Sequence, residues 1–292
     1  MSNVAATISV VPHYDNVDPA SLSDKDLAII TQNGLEQVAH DSAATWTYET
    51  RRVAQPILDF LYLGPSSVAR NRSWLQAEGI TMILAARDTR QAGLNFMAVD
   101  KIAQELGIEA RYVDVSGYHE LIRAFPSAIR MINDHMLQVH RSGPGDAIKR
   151  ETPDEGVAAR QPGSKRGKIL VFCETGNGRS ASIVTAYVMA VLGISMEQAC
   201  QFVNFKRFCV SMDDDLKHIL KAYEDVLVAQ RTVHQYQRSS DANTTAKKEK
   251  RGIDETVADD DNDDRMTGTD QYPGLDQDRF VGRDIFVPFV DR

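Results

Sequence analysis

The sequence lacks a membrane-spanning stretch: no run of about eighteen apolar residues occurs anywhere in it, so no partnership with a membrane is expected. Its first residues, MSNVAATISVVPHYDN, have neither a basic flank nor a long apolar core, and no secretory signal is expected there. Cysteine is scarce. Cys173, Cys200 and Cys209 are an odd number without metal-ligand spacing, which excludes a disulfide framework and argues for a reducing compartment, the cytoplasm or nucleus. There is no basic excess either: the formal net charge is −8, and no Lys/Arg cluster offers a nucleic-acid footprint. What is present, 42% apolar and 25% charged residues, is the balance of an ordinary folded soluble protein.

Composition divides the chain into one folded domain with appendages. Residues 1–44 carry only a weak helical pattern, Ser23 to Val38, and are expected to be mobile or peripheral. The domain is expected over 45–236, interrupted at 141–167 by a Gly-, Pro- and charge-rich insertion without apolar periodicity, read as disordered. From 237 the chain is polar. Residues 241–292 hold 14 acidic and 8 basic side chains, a net of −6, so the folded part is nearly neutral. The DDDNDD block, Asp259 to Asp264, lacks the Gly and Glu of a calcium loop and reads as solvated acid. The terminal Arg279 to Phe289 differs, because its large apolar residues imply a surface to bury them on, this domain's or a protein partner's.

Within the domain, strand and helix patterns alternate. Strands are expected at Ile57–Leu63, Thr81–Ala85, Ala110–Val115 and Lys168–Phe172. Helices are expected at Arg70–Glu78, Phe96–Leu106, Phe125–His140, Ser180–Leu192, Met196–Phe208 and Asp213–His234. Such alternation requires an α/β fold with a central, mostly parallel sheet flanked by helices, and places a ligand site at the carboxyl ends of the strands.

Cys173 falls at such an end. The run Val171-Phe172-Cys173-Glu174-Thr175-Gly176-Asn177-Gly178-Arg179-Ser180 passes from an apolar strand through two glycines into an apolar helix. A tight turn at a helix N-terminus gathers inward-pointing N–H groups and about half a positive charge, a cradle for a dianionic phosphate. A thiol there is depressed toward thiolate, while an Arg six residues later offers a planar fork for two phosphate oxygens. Cys173 is the candidate nucleophile and Arg179 its oxyanion clamp, with Glu174, Thr175, Gly176, Asn177, Gly178 and Ser180 as the phosphate-binding loop. The chemistry suited is attack of sulfur on phosphorus, without metal or cofactor.

Cys, five residues, Arg, then Ser resembles the signature of the Cys-based protein tyrosine phosphatases, in the dual-specificity branch. Ile57 to Ser67, Leu75 to Ile83, Phe125-Pro126 and Arg207-Phe208-Cys209 are similar to that branch's catalytic domain. Trp46-x-Tyr48-x-x-Arg51-Arg52 adds a likeness to its pseudophosphatases. The resemblance covers about Thr45 to Leu227, and implies the protein tyrosine phosphatase-like fold and phosphorylated proteins as partners.

Two departures bear on activity. The family has His where this chain has Phe172, which should leave the thiol less acidic, although Cys173 itself is kept where a pseudophosphatase carries Gly. The family's general acid is an Asp on a loop some thirty residues upstream of the nucleophile. Here that loop, Asp114-Val115-Ser116-Gly117-Tyr118-His119-Glu120, looks about two residues short, with Gly117 near the acid's place. Asp114 ends a strand; Glu120 or His119 substitutes only if the loop swings inward. The expectation is a phosphatase-fold protein that binds phosphorylated Tyr, Ser or Thr with weak or lost turnover, the alternative being an active dual-specificity phosphatase working through a phosphocysteine.

Overall fold

The structure, a computed structural model, describes residues 6–17, 22–91, 97–142 and 166–248. Seven strands and eight helices follow in chain order: β1 (Thr7–Val10), α1 (Asp24–Thr31), β2 (Gln37–His40), β3 (Gln55–Pro56), β4 (Leu61–Pro65), α2 (Ser66–Ala69), α3 (Arg72–Glu78), β5 (Met82–Asp88), α4 (Met97–Leu106), β6 (Glu109–Val115), α5 (Leu121–Arg141), β7 (Ile169–Cys173), α6 (Arg179–Leu192), α7 (Met196–Lys206) and α8 (Asp214–Lys248). The main sheet has the order β3-β4-β7-β5-β6. Only the two-residue β3 is antiparallel; β4, β7, β5 and β6 run parallel, the α/β arrangement expected.

Alternation along β7 divides its side chains between two apolar layers. Ile169, Val171 and Cys173 face the cluster formed with α1, α5, α6, α7 and α8, while Leu170 and Phe172 face the one formed with α2, α3 and α4. A strand buried on both faces reads as a continuous apolar run, as ILVFC does. The side of α6 toward the sheet and its opposite side are both covered: Ile183, Val184, Val188, Met189, Val191 and Leu192 are all buried. At about 1.5–3 kcal/mol for each fully buried aliphatic side chain, that packing fixes the helix whose N-terminus carries Arg179.

Besides the strand expected at Ile57–Leu63, which runs Leu61–Pro65, three boundaries differ from the sequence reading. The first concerns residues 1–44, expected to be mobile or peripheral. Here β1 and β2 pair antiparallel, and Val10, Val17, Leu22, Leu27, Ile30 and Ala39 are buried in the larger cluster. The helix stops at Thr31, because Gln32, Asn33 and Gly34 all take positive φ and turn the chain into β2. Secondly, α5 starts four residues before Phe125. Pro126 lies inside it and removes only one intrahelical N–H. Lastly, α8 runs on to Lys248, past the expected start of the disordered tail at 237, since extending a helix already formed adds a hydrogen bond for each residue fixed. Most of the 141–167 insertion and the tail from 249, with its acidic block and apolar terminus, lie outside the described residues. Among the described residues no helix is long and apolar enough to cross a membrane.

Candidate functional site

The carboxyl end of β7 and the N-terminus of α6 are joined by Glu174 to Gly178. This loop is pressed against the end of β4, where Ser66 N–H donates to Glu174 O at 3.3 Å. Gly176 takes φ +74°, and a Cβ there would lie 2.5 Å from the Gly64 carbonyl, so only glycine lets the loop seat on that backbone.

The loop's amides converge on sulfur. Gly176 N–H donates to Cys173 Sγ at 3.2 Å, and the Ser180 hydroxyl donates to it at 3.1 Å. Burial pushes the thiol pKa up. The hydrogen bonds of the Ser180 hydroxyl and of the Ser180, Gly176 and Gly178 amides outweigh it, and the net direction is down, toward thiolate. Phe172 does not reverse this, because its ring lies on the other face of the sheet, fully buried in the smaller cluster.

Arg179 opens α6, as the sequence required, and one of its N–H groups donates to Asp88 Oδ2 at 3.2 Å. Asp88 ends β5, one strand over from β7, and was not anticipated. Its carboxylate is held down to about 2, first by the Arg90 side chain, then by the Arg90 backbone N–H, with the charge of Arg179 contributing less. Among the described residues this is the one side-chain hydrogen bond of the Arg179 guanidinium, which leaves the rest of the fork for an oxyanion.

Arg207 supports the loop from behind. It is 1% exposed, and its guanidinium donates to Gly176 O at 3.2 Å, Thr175 O at 3.3 Å, Asn177 Oδ1 at 3.2 Å, Val53 O at 2.8 Å, Arg51 O at 3.0 Å and Gln55 Oε1. The ring of Phe208 lies 5.7 Å from that of Trp46. Hence the two sequence stretches around Trp46 and Arg207 meet, and tie the entry segment to the phosphate loop. The Asn177 side chain, also approached by Cys209 Sγ at 3.5 Å, serves this support and not the interior of the cradle.

Both carboxylates named for the proton donor are committed elsewhere, a correction to the sequence reading. Asp114 Oδ2 accepts from Arg87 at 3.0 Å, and the Arg87 guanidinium stacks 4.1 Å from the centre of the Tyr112 ring. Glu120 accepts from Ser116 N–H at 2.6 Å. That backbone bond is the main cause holding its pKa below the usual range. Instead Tyr118 approaches the loop: a Cβ on Gly178 would stand 3.6 Å from its hydroxyl oxygen. Among the described residues, no three His, Cys, Asp or Glu side chains group as metal ligands.

Part of the chain is similar in sequence to known proteins. Residues 158–226 match the dual specificity phosphatase catalytic domain. Over those residues the chain is similar to the dual-specificity phosphatase family. The serine/threonine/tyrosine-interacting protein of Mus musculus is 29% identical over 195 residues, 66% of this chain and 74% of the relative. Dual specificity protein phosphatase 26 of Homo sapiens is 31% identical over 160 residues, 55% of this chain and 62% of the relative. The crystal structure of the human tyrosine phosphatase-like serine/threonine/tyrosine-interacting protein covers 61% of this chain and 99% of its own, at 29% identity and TM-score 0.44.

Proposed function

We propose that the Cys173–Arg179 loop binds the phosphoryl group of phosphorylated Tyr, Ser or Thr in proteins, and that turnover is weak or lost. The observation carrying this reading is the hydrogen-bonded Cys173 sulfur, lowered toward thiolate, in the same loop as Arg179, while Asp114 and Glu120 are both engaged outside the cradle. Backbone amides and one guanidinium suit a tetrahedral dianion. Among the described residues neither carboxylate of the turn before α5 faces the cradle to protonate the departing oxygen, and such an acid contributes typically ~10²–10⁴-fold.

The retained Cys173, Arg179 and Ser180 favour a second reading, an active phosphatase. In it Cys173 attacks phosphorus, Arg179 and the loop amides hold the equatorial oxygens, and water then releases phosphate from a phosphocysteine. One pair of measurements separates the two. Calorimetry of Cys173→Ser with a phosphotyrosine peptide and its unphosphorylated twin reports binding, and steady-state release of phosphate from the same peptide by the wild type reports turnover. We expect phosphate-dependent binding with turnover far below the rates ordinary for this family. Turnover at rates ordinary for this family would favour the enzyme, and equal binding of both peptides would contradict both readings.

A further inference from the structure

The short turn between β6 and α5 carries three chemically capable side chains in succession, and they go three ways. Glu120 is held on the Ser116 N–H. His119 folds back on the turn, where a Cβ on Gly117 would lie 2.8 Å from its Cε1. Tyr118 alone extends over the phosphate loop, with its hydroxyl beside Gly178, and among the described residues that hydroxyl has no hydrogen-bond partner. Gly178 lies between Gly176, whose N–H donates to the Cys173 sulfur, and Ser180, whose hydroxyl does so too. The phenol therefore sits over the loop that surrounds the nucleophile. In-line attack by sulfur expels the ester oxygen on the far side of phosphorus, at the mouth of the cradle. Tyr118 is 38% exposed, the burial of a side chain at such a mouth.

We propose that Tyr118 is a catalytic residue, the proton donor to the departing ester oxygen. This deepens, and rests on, the reading of the loop as a phosphoryl site. In the first step the S–P bond forms as the P–O ester bond breaks; the electron pair goes to the departing oxygen, which takes the Tyr118 proton and leaves a phenolate. In the second, water attacks phosphorus and gives its proton to that phenolate. The S–P bond breaks with its pair returning to sulfur, phosphate is released, and the phenol is restored. Water is the only co-reactant. A phenol is a weaker acid than a carboxylic acid, so turnover assisted by it is slower than with a carboxylic acid.

The test is Tyr118→Phe against a series of aryl phosphates of rising leaving-group basicity, from dinitrophenyl to phenyl phosphate, with tungstate affinity measured by calorimetry on the same protein. We expect roughly a 10- to 100-fold loss on phenyl phosphate, at most about twofold on dinitrophenyl phosphate, and unchanged tungstate affinity. An equal loss across the series, no loss at all, or a loss of tungstate affinity would overturn the assignment. So would the absence of Cys173-dependent turnover of phenyl phosphate by the wild type. In that last case tight tungstate binding would leave the phosphoryl-site reading standing, and its absence would remove both.

Discussion

Replacing Arg207 by Lys keeps the charge and removes the fork, and its effect can be worked from the acceptors. Six oxygens take hydrogen bonds from the guanidinium, three of them on the phosphate loop. An ammonium has three N–H groups, so at least three of the six acceptors lose their partner around a side chain that is 1% exposed. At about 1–2 kcal/mol for each part-buried acceptor left unsatisfied, the loss is roughly 3–6 kcal/mol. With a urea m-value of about 2 kcal/mol/M, the midpoint of unfolding should fall by roughly 1.5–3 M. A native-state readout separates loop from fold: the rate of Cys173 alkylation by iodoacetamide against pH should shift upward, because the amides of a loosened loop no longer converge on sulfur. A midpoint within about 0.3 M of wild type would refute the buried-fork argument. A large stability loss with an unaltered thiol titration would refute the claim that Arg207 acts on the loop.

Ser180→Ala should raise the Cys173 titration further than Ser180→Thr, since the Ser180 hydroxyl is the strongest of the groups that lower it; thiol alkylation against pH reads this, and equal midpoints would contradict it. Asp88→Asn removes an anion from beside Arg179, and should tighten tungstate binding several-fold at low salt, an advantage that shrinks as salt is added; calorimetry at two ionic strengths decides. Burial alone would raise Glu109, but its bonds to His135 and Arg111 outweigh it and hold its pKa below the usual range. A depressed carboxylate contributes stability that is present above its unfolded pKa of about 4.3 and is lost as pH falls through the folded value. Glu109→Gln should therefore destabilise at neutral pH and flatten the acid limb of urea midpoints taken from pH 3 to 6.

Much of this fold was legible because its strands are buried runs and its helices amphipathic, so β5, β6 and β7 and the longer helices fall near where periodicity puts them, while β4 begins only at Leu61 and α2 was not expected. The phosphate loop was legible for a local reason: Cys173, Gly176, Gly178, Arg179 and Ser180 act through a single turn. Asp88 escaped because it is 91 residues from Arg179 in sequence; a charged residue ending the apolar run MILAARD was the available signal. Tyr118 escaped because a single tyrosine in a short turn forms no motif, and its nearness to Gly178 is made only by the fold. The role of Arg207 needed the meeting of residues 51–55, 175–177 and 207, which no pattern on one element reveals. The four-residue β1 and β2 each carry too little alternation to be read alone, and exist through their pairing and the core beneath them.

The central claim is that Cys173 to Ser180 form a preorganised cradle for a tetrahedral oxyanion, clamped by the fork of Arg179. Calorimetric titration of tungstate into the wild type and Arg179→Lys tests it most directly. We predict saturable one-to-one binding by the wild type, and at least a tenfold weakening, about 1.4 kcal/mol, in the variant, which keeps the charge and loses the bidentate geometry. Equal affinities in the two proteins, or no binding by the wild type, would contradict the account.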